Sequence, residues 1–146
     1  EFANASIEEI YGEEIVDAYE RKVTSFESII LINKGENKFE IEKLPPLAQS
    51  IPILTSDSYD INEDGYEDVI IGGNIYNTEV ETPRLDNQFA IILISDKNKN
   101  YSTIGPDKSG LYLSGNTKSL KIIDRKNPKL LVANNNSNLE VFELNK

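Results

Sequence analysis

The sequence has no cysteine, histidine, methionine or tryptophan in its 146 residues. Without histidine or cysteine there is no serine–histidine triad, no thiol nucleophile, no zinc finger and no imidazole general base. Disulfides are excluded as well, so cysteine pairing gives no information about the redox compartment. These absences favour a protein that is not an enzyme.

The chain has few basic residues, with 15 lysines and arginines against 25 acidic residues and a formal net charge of −10. Nucleic acids and anionic membranes are bound through basic surfaces, so we expect neither as a partner. The longest apolar runs, at residues 29–32 and 90–94, are far too short to span a bilayer, and we expect no membrane insertion. The acidic surplus suits a hard cation held by oxygen ligands.

The length is that of one ordinary domain, and a hydrophobic content of 38% is adequate for β-sheets with solvated faces. The chain begins without methionine and contains none. We therefore expect a processed product or a piece of a longer protein.

Residues 1–22 are predicted to form an N-terminal helical segment. Ser6 and Glu9 have the spacing of a capping box, and apolar or aromatic residues recur at every fourth position from Ile7. Gly12 interrupts this pattern, which predicts two short turns or a bent helix. We expect the segment to pack over the edge of a sheet.

Residues 23–146 are predicted to be all β, because short β-branched runs alternate with clusters of Asn, Asp, Lys and Gly. Four proline positions or pairs fall between these runs, where a missing N–H does no harm. The predicted strands are 28–33, 37–43, 50–57, 67–73, 89–95, 99–104, 117–123, 129–133 and 138–144.

An internal repeat is visible in the β region. Residues 28–33 match residues 90–95 at an offset of 62, and residues 68–74 match residues 129–135 at an offset of 61. A strand-only unit repeated at this period indicates propeller blades. The fold is therefore predicted to be mainly β, a partial β-propeller of two blades plus a fragment, with a duplicated β-sandwich as the alternative. The copies are placed at about 28–89, 90–137 and from near 138.

Residues 60–68 form the sharpest motif. Oxygen-bearing side chains stand at positions 1, 3, 5 and 9 with glycine at position 6, which resembles the first nine positions of an EF-hand loop. Position 12 is Ile71 rather than glutamate, and the flanks are strands rather than helices, so the motif predicts a strand–loop–strand calcium site. The predicted Ca²⁺ ligands are the side chains of Asp60, Asn62, Asp64 and Asp68 and the backbone carbonyl of Tyr66.

The second repeat copy has a shorter loop in the same place. Residues 124–129 are three residues shorter and have lost the acidic ligands. We expect no metal there.

The motif D-x-N-x-D-G-x-x-D running into V-I-I-G-G-N resembles the FG-GAP/VCBS repeats of β-propellers. Residues 33–39, 81–86 and 132–136 extend the resemblance, which covers roughly residues 24–144. It implies a calcium-stabilised propeller that is secreted or displayed on the bacterial cell surface. A full propeller needs about six or seven blades, so the chain looks like the last blades of such a protein.

The segment 74–88 is long for a connection between two strands and is a second candidate site. One interpretation is a carbohydrate or protein contact, with a tyrosine that stacks and polar groups that form hydrogen bonds. The alternative is a loop whose arginine pairs with an acidic residue and only orders the chain. The candidate ligand-binding residues are Asn74, Tyr76, Glu79, Glu81, Arg84 and Asp86.

These features predict a calcium-binding extracellular module for binding or scaffolding. One alternative is an ancillary domain of a secreted polysaccharide-degrading enzyme. Another is an assembly module that completes a propeller with the remaining blades of a parent protein or with a second chain. Paired carboxylates for glycoside hydrolysis are a weak signal, because 25 acidic residues produce many pairs by chance.

Overall fold

The computed structural model describes residues 2–144, and this part of the chain is mainly β. It has short helices at α1 (Ile7–Tyr11) and α2 (Pro106–Ser109) and 3₁₀ turns at Phe2–Asn4, Gly12–Ile15 and Pro46–Ser50. The strands are β1 (Ile29–Asn33), β2 (Phe39–Lys43), β3 (Thr55–Tyr59), β4 (Asp68–Gly72), β5 (Ile91–Ser95), β6 (Tyr101–Ile104), β7 (Thr117–Ile123), β8 (Lys129–Asn134) and β9 (Glu140–Glu143).

The strands form three antiparallel sheets in which each strand pairs with its neighbours in sequence. The first sheet is β1–β2, the central sheet is β3–β4–β5–β6 and the last sheet is β7–β8–β9. The inner strands of the central sheet, β4 and β5, are buried on both faces. Strand β5 has three consecutive buried residues, as a strand covered on both sides requires.

Two hydrophobic clusters hold the three sheets together as layers. The cluster between the first and central sheets contains Leu44, Ala48, Ile51, Ile71, Ile91 and Leu93, with Ile30 packed against it. The cluster between the central and last sheets contains Ile70, Ile92, Leu120, Ile122, Leu130 and Val132, among others. Alternate residues of β4 and β5 therefore contribute to opposite clusters.

The strands recur in the same order along the chain. Strands β1, β2, β3 and β4 begin at residues 29, 39, 55 and 68, and β5, β6, β7 and β8 begin at 91, 101, 117 and 129. The central sheet takes two strands from each set, so the sheets and the sequence repeat are out of phase. Within residues 2–144 the sheets do not close into a propeller or a barrel.

The N-terminal prediction is only partly confirmed. Ser6 and Glu9 form the capping box, and α1 ends at Gly12, whose φ of 59° is accessible to glycine without strain. Helical structure stops at Ile15, so the predicted range of 1–22 is too long, and Glu1 lies outside the described residues. No residue from 2 to 27 is buried, so the expected packing over a sheet edge is wrong.

Each of the nine predicted strands corresponds to an observed strand, and the largest difference in bounds is at β3. The prediction placed it at 50–57, whereas the strand covers Thr55–Tyr59. Pro52 has no backbone N–H to donate to a neighbouring strand, so the strand begins after it. The predicted final strand reaches 144 and the last repeat 146, but residues 145–146 lie outside the described part.

No helix among the described residues is long and apolar enough to cross a membrane.

Candidate metal site

The loop 60–68 connects β3 to β4 and is closed by its first acidic residue. Asp60 accepts hydrogen bonds from the backbone N–H of Asp64 through Oδ1 at 3.0 Å and from that of Gly65 through Oδ2 at 2.9 Å. Glu63 and Gly65 have φ of 58° and 91°, the left-handed conformation that turns the chain back. Asp60 therefore fixes the reversal on which the predicted ligand spacing depends.

Asn62 and Asp64 lie at the exposed tip of the loop. The Asp64 N–H also lies 3.1 Å from Asn62 Oδ1, and Asn62 Nδ2 donates to Asp64 Oδ2 at 2.9 Å. The other oxygen of Asp64 accepts from the N–H of Tyr66 at 2.9 Å. The Tyr66 side chain is exposed, so only its carbonyl remains a candidate ligand.

Asp68 is the deepest member of the set, because its relative exposure is 0%. Its Oδ2 accepts from the N–H of Ile61 at 3.0 Å, and its Oδ1 accepts from the N–H of Ser95 at 2.9 Å. Among the ion pairs found in residues 2–144, none includes Asp68. A buried carboxylate with no cation is costly, so Asp68 marks a place where a bound cation would be stabilising.

Tyr101 responds to the same negative charge. Burial raises its pKa, and the nearby carboxylates of Glu42 and Asp68 raise it further. The carboxylates of Glu42 and Asp68 therefore disfavour a further negative charge at Tyr101.

The residue types fit a hard cation, since the loop offers carboxylate, amide and carbonyl oxygens. In the part of the chain that the structure describes, however, no three acidic side chains converge as a metal-binding group. Each hydrogen-bonded carboxylate oxygen keeps a second lone pair. Asn62 and Asp64 are exposed, so their side chains are free to reorient toward an ion.

The hairpin β7–β8 contacts the first hairpin, β3–β4, through Arg125. Its Nη1 donates to Glu67 Oε1 at 3.1 Å, and its Nη2 donates to the carbonyl of Ser58 at 3.2 Å. The guanidinium also stands 6.0 Å from the ring centre of Tyr59. No local sequence signal predicts this contact, because the paired residues are 58 and 67 positions apart.

Side chains of β3 also hold the central sheet to the last one. Asp57 Oδ2 accepts from the N–H of Ile122 at 2.6 Å, Asp57 Oδ1 accepts from Lys121 Nζ at 3.0 Å, and Thr55 Oγ1 accepts from the N–H of Leu120 at 3.0 Å. Burial opposes ionisation of Asp57. The hydrogen bonds that Asp57 accepts from Ile122, Lys121 and Ser58, together with the charge of Lys121, outweigh burial and hold its pKa below the usual value of 3.8. Sequence reasoning missed this role. The available signal was polar residues at alternate positions of a strand.

The second candidate site contains one residue that is not available to a ligand. Asn74 is buried, with its Nδ2 donating to the carbonyl of Gly115 at 2.7 Å and its Oδ1 accepting from the N–H of Asn87 at 3.1 Å. Its backbone N–H donates to the carbonyl of Thr117 at 3.1 Å. Asn74 holds the long loop to the start of β7, which corrects the predicted ligand contact.

Tyr76, Arg84 and Asp86 form one contact group. Arg84 Nη2 lies 2.7 Å from Asp86 Oδ2, the Tyr76 hydroxyl donates to Asp86 Oδ1 at 3.2 Å, and the guanidinium stacks 4.6 Å from the ring centre. Burial raises the pKa of Tyr76, and the charge of Asp86 raises it further. This arrangement favours the alternative that Arg84 orders the loop. Glu79 and Glu81 remain exposed.

Several concave surfaces are present in residues 2–144. One of about 480 Å³ is lined by residues 124 and 126–129 with Glu143 and Leu144. Another, of about 810 Å³, is lined by residues 7–21 of the N-terminal segment and shares no residue with the loop 60–68. A smaller one of about 290 Å³ is lined by Tyr66, Glu67, Ser95 and Tyr101 together with β1. The cavity of about 290 Å³ therefore adjoins the loop 60–68.

No family model, no curated protein and no solved structure matches this chain. Its function is therefore inferred from its own residues and packing.

Proposed function

We propose that the chain is a calcium-binding β-repeat module, part of a β-propeller, that serves binding or scaffolding outside the cell. The observation that carries the proposal is the loop 60–68. It combines oxygen-bearing side chains at alternate positions, a turn fixed by Asp60 and a fully buried carboxylate at Asp68 that forms no ion pair with residues 2–144.

The role of the ion is structural. Asp68 already joins the start of β4 to the end of β5 through Ser95, and Asp60 joins the end of β3 to the turn. An ion bound by both carboxylates would connect three strands and remove the repulsion between the acidic side chains. Calcium suits this loop better than magnesium, since Ca²⁺ accepts six to eight oxygens in irregular geometry.

The propeller assignment is supported by the recurrence of four strands at the same spacing. Location outside the cell is supported by the resemblance to FG-GAP/VCBS repeats. A carbohydrate or protein ligand would contact the exposed part of the long loop, where Glu79 and Glu81 remain available.

The test is thermal unfolding with Ca²⁺ and with a chelator. An ion at 100 times its Kd stabilises the folded state by about 2.7 kcal/mol, so the melting temperature should rise by several degrees. Asp64→Asn removes one charged ligand and keeps an acceptor for Tyr66, and it should reduce this shift by about half or more.

Asp124→Asn is the matched control, because Asp124 begins the corresponding loop of the hairpin β7–β8. Its Oδ1 accepts hydrogen bonds from the backbone N–H groups of Lys126 and Asn127. Its calcium shift should equal that of the wild type. The proposal is wrong if the wild type shows no shift, or if Asp64→Asn responds as the wild type does.

A further inference from the structure

Within residues 2–144, the first sheet exposes an apolar face that neither of the other sheets covers. Ile29, Leu31, Phe39 and Ile41 have relative exposures of 42%, 57%, 60% and 67%, and Leu31 is paired directly with Ile41 across the sheet. We call these four residues the first end face. An apolar patch of this kind on a strand pair is typical of an interaction surface.

The central sheet shows what covers such a face. Ile91 and Leu93 stand 62 residues after Ile29 and Leu31 on the corresponding strand, and their exposures are 0% and 1%. They are buried in the cluster that Ile30 of the first sheet joins. The same strand positions are therefore a packing face wherever a neighbouring sheet is present.

The last sheet exposes the opposite kind of face. Val141 is exposed and Leu131 is half-buried, and the two are directly paired on the side away from the central sheet, with Ile123 beside them. We call these three residues the second end face. The corresponding pair of the central sheet, Ile70 and Ile92, is buried against the last sheet.

We propose that a second copy of this chain docks head to tail, with the first end face of one copy on the second end face of the other. Both interfaces inside the chain join these two kinds of face, so the contact continues a packing that the fold already makes twice. A head-to-tail contact is heterologous, and each copy keeps one free face for further addition. The proposal rests on sheet packing and not on the calcium loop, so either can fail alone.

The charge of the chain sets the conditions for association. Each copy carries a net charge of −10, so two copies repel at low ionic strength. Salt screens this repulsion and leaves the apolar contact intact. Association should therefore strengthen as salt is raised, the opposite of a contact made by ion pairs.

The test is sedimentation velocity of the wild-type chain from about 1 to about 100 μM, a range that detects interfaces of micromolar affinity. The expected result is a mass that rises with concentration. Leu31→Glu blocks the first end face and Val141→Lys blocks the second, so each variant alone should be monomeric. An equal mixture of the two should form a dimer and nothing larger, because only one productive pair of faces remains.

Val80→Glu is the control, since Val80 is fully exposed on the long loop and belongs to neither end face. It should associate as the wild type does. Thermal unfolding of each variant verifies that it is folded.

Three outcomes overturn the proposal. If the wild type stays monomeric at high salt, the two end faces do not bind each other, and another segment or another protein covers them. Association that survives Leu31→Glu or Val141→Lys places the contact elsewhere or makes it isologous. A mixture of the two variants that stays monomeric excludes the head-to-tail geometry.

Discussion

The two hairpins β3–β4 and β7–β8 occupy corresponding places in the fold and carry opposite charges. The first has the acidic loop 60–67 and begins its second strand with the buried Asp68, whereas the second has the shorter loop 124–128 and begins with Lys129. Both pair as antiparallel strands, with a register shift between Thr117 and Ser119 at the start of β7. The same strand pairing therefore carries two different loop sequences. The acidic residues that distinguish the first hairpin lie in its loop and at the first position of β4.

The largest effect expected from this difference is at the first residue of β4. Asp68→Ala leaves the N–H groups of Ile61 and Ser95 without their acceptor in a buried place. We expect a loss of about 2 to 4 kcal/mol in the free energy of unfolding. Urea unfolding in the presence of a chelator measures the loss without any contribution from a bound ion.

Lys129→Ala is the matched change in the second hairpin. Lys129 lies 3.7 Å from Glu143 in a pair that is well exposed to solvent. Its replacement should cost less than about 0.5 kcal/mol. Equal losses for the two variants would remove the distinction between the hairpins.

The next effect concerns Asp57, which binds β7, whereas the corresponding Ser119 of β7 is exposed. Asp57→Asn should cost about 1 to 3 kcal/mol at pH 7, since a charged acceptor is lost. The folded-state pKa lies below the reference value of 3.8, so this stabilisation is complete above about pH 4 and is lost as the pH falls through the folded-state pKa.

Urea unfolding at pH 7, 4 and 3 checks the pH dependence. The wild type should lose stability more steeply below pH 4 than Asp57→Asn, and Asp124→Asn serves as the charge-matched control. If the free energy of unfolding falls with pH in parallel for wild type and Asp57→Asn, the pKa of Asp57 is not lowered by folding.

A smaller effect than that of Asp57→Asn is expected at the contact between the two hairpins. Arg125 and Glu67 are more than half exposed, so Arg125→Ala should cost less than about 1 kcal/mol. A double-mutant cycle with Glu67→Gln isolates the pair, and its coupling should shrink in high salt. A coupling above about 1.5 kcal/mol would mean that the hairpins act as one unit.

Local sequence signals predicted the strands well and the N-terminal helix in part. Alternation and β-branched runs located all nine strands, and the spacing of Ser6 and Glu9 located the cap of α1. They failed where a backbone constraint competes with hydrophobicity, as at Pro52 before β3. They also missed α2, where Pro106 at the first turn and Gly110 in the left-handed conformation define a short helix between two strands.

The residue types of the candidate site were read from the sequence, and their role as Ca²⁺ ligands stays a prediction. The spacing of the loop predicts which oxygens would share an ion, because ligand alternation is a local property. The burial of Asp68 and the contacts of Asp57 and Arg125 are long-range, joining residues up to 67 positions apart. The sequence placed Asn74 among the ligand-binding residues for the same reason. Only the packed structure shows that its side-chain amide forms hydrogen bonds with Gly115 and Asn87.

Isothermal titration of the chelator-treated wild type with Ca²⁺, beside Asp64→Asn and Asp124→Asn, tests the proposed calcium site most directly. The account predicts one Ca²⁺ per chain for the wild type and for Asp124→Asn, and a Kd weakened at least tenfold for Asp64→Asn, equivalent to about 1.4 kcal/mol. Absence of binding to the wild type, or equal binding by all three, would contradict it.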